Sequence, residues 1–212
     1  MTRIFRSLLP FLTLVVLATR CRTIARSVPA DSVRDVDGNT YKTVTVGSQD
    51  WLAENLRVTR TPEGVPLSTV SPNNDASLVP TFGRLYDWET ARRACPAGWH
   101  LPSDAEWSAL DGYLGSTTGL LLRDPRYWPN QDPRPAACVS FGARPAGYSN
   151  DQGFETFFGT RAVFWTDTPQ DSHFVWSRVI DTESTSLRRA PQHPQYGFSV
   201  RCLSTLQPAS RP

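Results

Sequence analysis

Cysteine and histidine are the side chains best suited to covalent or metal chemistry, and this 212-residue chain carries four of the first and three of the second. Cys21, Cys95, Cys138 and Cys202 form no CxxC pair, and His100, His173 and His193 stand apart in strand-like or proline-rich surroundings. Zinc sites draw their ligands from clusters at short fixed spacings, so this pattern predicts no metal centre. A thiol becomes a nucleophile when a neighbouring base or cation poises it, and nothing local does so for Cys138. No catalytic residue and no cofactor is expected. Residues 35–39, DVDGN, begin like a calcium loop but lack the later ligand positions and the distal glutamate of an EF-hand, so a turn into a strand is expected there. Glu54 and Asn55 put a carboxylate beside an amide, which suits a ligand but more often satisfies local backbone. Among the aromatics, Tyr127 and Trp128 in a proline-rich loop and Trp176 in an alternating run are the candidates for ligand stacking, with packing as the alternative use.

These residues need elements to hold them. Asp87 is placed to cap a helix whose Trp88, Ala91 and Cys95 recur on one face, and Pro96 and Gly98 end it. Ser103 and Glu106 form a capping box for a second helix, with Trp107, Leu110 and Leu114 as its apolar stripe and Gly112 and Gly115 closing it. Both helices are expected to face a common core. Upstream, the alternation of residues 41–46, the turn at Gly47 and the return over residues 50–56 predict a hairpin. Residues 59–80 and 124–136 read as surface loops, the first with a turn at Asn73, Asn74 and Asp75. Residues 139–143, 161–166, 173–180, 185–189 and 197–203 read as short strands, the third of them with one packed face.

The motifs DGNTYKTVTVGSQDWLAENL, GRLYDW, CPAGWHLPSDAEW, FGARPAGYS and GFSVRCL follow one another in an order that resembles the Fibrobacter succinogenes major paralogous domain family, from about Asp37 to Leu203. The spacing of Trp88, Ala91, Cys95, Gly98, Leu101 and Glu106 is similar to the first-helix signature of C-type-lectin-like domains. These resemblances imply an α+β, C-type-lectin-like fold with two short helices and a mainly antiparallel, loop-rich sheet. In the lectin-like pattern the helix cysteine bridges to one in the last strand, which implies a Cys95–Cys202 disulfide and a free Cys138. The family has no agreed activity, so the resemblance implies a scaffold and an extracytoplasmic address. The calcium-ligand motifs of sugar-binding C-type lectins are absent. The fold class also resembles that of formylglycine-generating enzymes, which use a cysteine pair near the C-terminus, whereas here Cys202 stands alone there.

Charge narrows the partners. Five arginines and no acid precede residue 31, so the rest of the chain sets 17 basic against 20 acidic side chains, a net of −3. A domain of that balance has no positive field for gathering phosphates, and no nucleic-acid partner is expected. Arg3 and Arg6 followed by LLPFLTLVVLA at residues 8–18 read as a signal peptide too short to be a stable membrane span. Cys21 follows at a lipobox-like position, although Arg20 breaks the usual small-residue pattern. The expected organisation is a signal peptide over 1–20, a tether over 21–36, the domain over 37–205 and a disordered tail over 206–212. The expected role is an exported, lipid-anchored surface protein with non-catalytic binding or structural duty. A carbohydrate-binding module and an enzyme are the alternatives. Its partners would be a surface carbohydrate or a protein, and its membrane contact would be the lipid alone. Mass spectrometry of the exported protein is expected to find the chain starting at an acylated Cys21. The alternative is ordinary cleavage further on, after Ala25 or Ala30, and an unmodified N-terminus downstream of Ala25 would remove the outer-membrane or cell-surface anchor and leave a freely secreted protein.

Overall fold

Two sheets lie between two apolar clusters, and short helices close the outer sides. This arrangement is seen in a computed structural model that describes residues 32–129, 139–152 and 155–206; the leader with Cys21, the loop with Cys138 and the 207–212 tail lie outside them. The elements are β1 (Val33–Arg34), β2 (Thr40–Tyr41), β3 (Thr43–Val46), β4 (Gln49–Leu52), 3-10 turns at Pro72–Asn74 and Ala76–Leu78, α1 (Val79–Phe82), α2 (Trp88–Ala91), β5 (Trp99–His100), α3 (Asp104–Leu114), α4 (Thr118–Leu122), β6 (Tyr148–Ser149), β7 (Glu155–Thr156), β8 (Arg161–Pro169), β9 (Val175–Asp181), β10 (Arg188–Gln192) and β11 (Leu203–Ser204). One sheet has the order β3-β4-β11-β5 and the other β10-β9-β8, with β1-β2 and β6-β7 as small pairs. Every ladder is antiparallel. The chain is α+β with few short helices, as expected.

Local chemistry explains the starts and stops. Asp87 caps α2 by accepting from the Thr90 amide, and Ser103 and Glu106 form the full capping box of α3. Each cap satisfies amides that an α-helix leaves without partners. The β3–β4 hairpin turns in two residues, with Val46 paired to Gln49 and Gly47 at φ +61°, a left-handed conformation that favours glycine. The return strand stops at Leu52 rather than running to Leu56, because Asn55 turns its amide into the interior. Residues 33–36, given above to the tether, belong to the fold: β1 pairs with β2, and Asp35 accepts from the Tyr41 hydroxyl at 2.6 Å and the Asn39 amide at 2.9 Å.

Other expectations need correction. The two helices do not face one core. Ala91, Ala94 and Cys95 pack in one cluster with Leu52, Trp165, Phe198 and Val200, while Trp107 and Leu110 pack in a second with Trp51, Phe141, Phe164 and Ile180. The sheet β10-β9-β8 lies between them, so β9 is covered on both faces: Val175 and Val179 point into the first cluster and Ile180 into the second. Arg178 is accommodated on the second face because its Nη2 donates to the Asp104 carboxylate at 2.6 Å and to Ser108 Oγ at 2.7 Å. Asp104 itself sits in the first turn of α3, where the helix dipole favours a carboxylate. Residues 139–143 form no ladder, only a bridge from Ala143 to Arg123. The stretch over 197–203 joins its neighbours through single bridges at Gly197, Phe198 and Ser199, with only Leu203 in a sheet. Residues 59–80 contain two 3-10 turns and the start of α1, and Asn73 and Asn74 take φ +53° in the turn foreseen there.

The closing segment is the seam of the fold. Phe198, Val200 and Cys202 enter the first cluster, and Cys202 is bonded to Cys95 across a sequence separation of 107. A loop of that length stabilises the fold by roughly 4–5 kcal/mol in the chain-entropy account, though measured disulfides commonly give ~2–4 kcal/mol. Between those residues, Arg201 points the other way and is fully buried. Its Nη1 donates to the carbonyls of Leu52 at 2.9 Å and Phe141 at 2.6 Å. Its Nη2 donates to Asn55 Oδ1 at 2.7 Å and the Gly142 carbonyl at 3.1 Å. The Phe141 ring lies 4.5 Å from the guanidinium and the Phe164 ring 5.6 Å. Burial pulls the Arg201 pKa down to about 9, so the group stays charged at neutral pH.

Removing the guanidinium orphans several acceptors at once, each costing ~1–3 kcal/mol when buried. Arg201→Met is therefore expected to lower unfolding free energy by about 3 kcal/mol or more in urea titration. An unchanged midpoint would show that these bonds add nothing.

Candidate functional site

Arg201 ties together segments that surface as the walls of one cleft. The cleft has a volume of about 650 Å³ and is lined by Ala53 and Glu54, by Pro80 and Thr81, by residues 123–127, and by Ser140, Gly142 and Arg144, with Lys42 at its edge. Beneath it, the four bonds of Arg201 reach Leu52 and Asn55 on the first wall and Phe141 and Gly142 on the last. Asn55 then donates to the Phe82 carbonyl at 2.9 Å, which fixes the Pro80–Thr81 wall. The walls approach so closely that a Cβ on Gly142, at φ +69°, would meet the Ala53 carbonyl at 2.9 Å. Glycine is required there. Asn55 thus takes the structural use of the Glu54–Asn55 pair, and Glu54 accepts from the Lys42 amide at 3.1 Å and from Arg57 at 3.1 Å.

The polar lining is organised by Asp124. Its buried carboxylate accepts two bonds from Arg126, at 2.9 and 2.7 Å, and one from Arg144 at 3.3 Å. Its amide donates to the Ala143 carbonyl, pinning the loop to the opposite wall. Arg144 also donates to the Thr81 carbonyl. Burial alone would raise the Asp124 carboxyl, but the bonds from Arg126 and the charges of Arg126 and Arg144 outweigh it and hold the pKa below 3.8. The Tyr127 ring lies 5.4 Å from the Arg126 guanidinium and 4.9 Å from that of Arg144, and meets Phe82 edge to face.

The three aromatics singled out from sequence part company. Tyr127 is half-buried in the cleft. Trp128 is only 4% exposed, packs in the second cluster and donates its indole N–H to the Ala143 carbonyl at 2.8 Å, so it serves as packing. Trp176 lies on β9 with the Arg189 guanidinium 3.4 Å over its ring. Cys95 and Cys202 are joined as the lectin-like pattern implied, while Cys21 and Cys138 lie outside the described residues. Among the described residues, no group of three or more His, Cys, Asp or Glu side chains is placed to hold a metal ion. His100 pairs with Glu106 at 2.9 Å, within the α3 capping box. Lys42, Asp124, Arg126 and Arg144 escaped the sequence reading. The usable signal was an arginine inside a glycine-flanked apolar motif, FGARPAG, where a charge needs a partner.

The organisation of the seam and walls follows motifs that a family profile also recognises: the model of the Fibrobacter succinogenes major domain matches residues 44–204. The chain belongs to that family. No curated protein and no solved structure matches it. The matched stretch of this major domain includes Asn55, Asp124, Arg144 and Arg201, and therefore the whole clamp under the cleft.

Because the folded Asp124 pKa is depressed, its contribution to stability is complete above pH 3.8 and is lost as pH falls through the folded value. Asp124→Asn is expected to lose about 2 kcal/mol at pH 7, the scale of hydrogen bonds to a charged group. The gap to wild type should close as pH is lowered below that carboxylate range, as denaturant titrations at several pH values would show. A gap independent of pH would contradict the ion pairing.

Proposed function

We propose that this chain is an exported surface module, anchored through an acylated Cys21, whose role is non-catalytic binding at the cleft over Arg201. The observation that carries this reading is the clamp: one buried guanidinium fixes two walls directly and a third through Asn55. A cavity assembled that rigidly loses little conformational entropy when a ligand enters, which is what favours binding. The volume falls in the range of ~300–1,000 Å³ common for ligand sites. The Cys95–Cys202 disulfide supports the export reading, since an oxidising compartment lets the two cysteines stay joined.

We read the scaffold as C-type-lectin-like. A cysteine just beyond α2 is bonded to one beside the closing strand, the arrangement implied by the signature around Trp88 and Leu101. A carbohydrate-binding role is the more specific form of the proposal, and the half-buried Tyr127 among planar charged groups favours it. An enzyme of the formylglycine-generating kind is disfavoured because Cys202 is committed to Cys95 and fully buried.

The test is an array of saccharides probed with the exported protein and with Arg126→Ala/Tyr127→Ala. Binding that weakens about tenfold in the double variant, ~1.4 kcal/mol, while its circular dichroism spectrum stays that of the wild type supports the cleft as the site. Undiminished binding would move the site elsewhere, and chemically altered saccharides recovered from the array would overturn the non-catalytic reading.

A further inference from the structure

We infer that the cleft takes an acidic saccharide, a sugar chain bearing carboxylate or sulfate groups; this rests on the cleft being the binding site proposed above. The cleft gathers Lys42, Arg123, Arg126 and Arg144 against two carboxylates, Glu54 and Asp124. It is a positive patch on a chain that is otherwise acidic, with 17 basic to 20 acidic side chains after the leader. Such a local field draws anions into a cleft that the rest of the surface repels.

Both carboxylates are already satisfied by protein partners. Glu54 is bonded to Arg57 and to the Lys42 amide, and Asp124 holds Arg126 and Arg144. Among the cations, Arg123 donates to the Asp181 and Ser184 carbonyls and Arg144 to Asp124 and the Thr81 carbonyl, which leaves Lys42 and Arg126 to meet a ligand. Lys42 is the only lysine in the sequence. It is exposed, and its ammonium makes no hydrogen bond or ion pair with a described residue. The side chain of Arg126 is 70% exposed although two of its nitrogens are fixed on Asp124. Its third nitrogen is therefore held in place and open to solvent, a pre-oriented donor for an oxyanion.

The remaining lining suits a hydroxylated ligand. The Ser140 hydroxyl is exposed on a backbone at φ +55°, and the Tyr127 ring lies between the walls. The space is too large for a lone oxyanion and lacks the deep aliphatic or aromatic pocket that anchors a peptide, since apart from the half-buried Tyr127 ring its apolar lining is Ala53, Pro80 and Pro125.

The test titrates the exported full-length protein with a uronate oligosaccharide, a sulfated oligosaccharide, a neutral oligosaccharide of equal length and an acidic peptide. Affinity is read at low and at raised salt, together with protection of Lys42 from an amine-acylating reagent by peptide mapping. The inference expects the acidic saccharides to bind, to protect Lys42, and to weaken about tenfold in each of Lys42→Met and Arg126→Gln and again at raised salt. If only the uronate or only the sulfate binds, the source of the anion is identified. Equal binding of the neutral saccharide, indifferent to Lys42→Met, would overturn the acidic inference and leave the binding module standing. Protection by the acidic peptide alone would overturn the saccharide. Failure of all four to bind would overturn both readings.

Discussion

A guanidinium with no exposed surface sits where the first hairpin, the 139–144 segment and the closing segment meet. Moving a charged group out of water carries a penalty of several kcal/mol even after the protein relaxes, and partners must offset it. For Arg201 those partners are three carbonyls, one amide oxygen and the faces of two phenylalanines rather than a contacting carboxylate. More distant carboxylates, Glu54 and Asp124, help to hold the charge, and Arg144 opposes it. Two of the carbonyls, Phe141 and Gly142, come from a segment outside any ladder, and the third comes from Leu52 at the end of β4. The buried charge and the irregular backbone around it therefore need one another.

That reciprocity explains how a domain with short strands keeps one shape. Ladders of two to nine residues and helices of four to eleven give little local cooperativity. The closing segment supplies the missing connections. Its backbone bonds Tyr86, Val163, Leu52 and Leu56, its cysteine reaches the residue just past α2, and its arginine reaches the cleft walls. Sheet β10-β9-β8 is then trapped between two clusters, with Arg178 held by Asp104 on its second face. The loops over the cleft stand on this frame, where their composition can change without disturbing the seam.

Much of the local structure was legible. Asp87, Ser103 and Glu106 act within three residues of themselves, so spacing alone revealed both caps, and Gly47 marked its turn for the same reason. The Cys95–Cys202 bond came through family likeness rather than from spacing. Burial of Arg201 was not legible, because an arginine alternating with Phe198 and Val200 looks like the solvent side of a strand. Its partners lie 59 to 149 residues away in sequence, beyond any periodicity. The burial of Arg178 was no more legible, since Asp104 is 74 residues distant. Residues 139–143 have strand-like composition but are held by Arg201 and by one bridge, Ala143 to Arg123, instead of a ladder. Trp128 could be read as ligand or core from sequence, and its indole bond to Ala143 decided for the core.

The central claim is that the closing segment and its buried arginine form one cooperative unit with the sheets. Native-state hydrogen exchange measures that directly through the amides of Leu52 and Leu56, which donate to Cys202 and Val200, and of Ser199, which donates to Val163. If the seam holds the fold, these amides exchange with the same opening free energy as those of β9, through global unfolding. Exchange of the three at much lower opening free energy, while β9 stays protected, would show that the seam opens by itself and that the sheets do not depend on it.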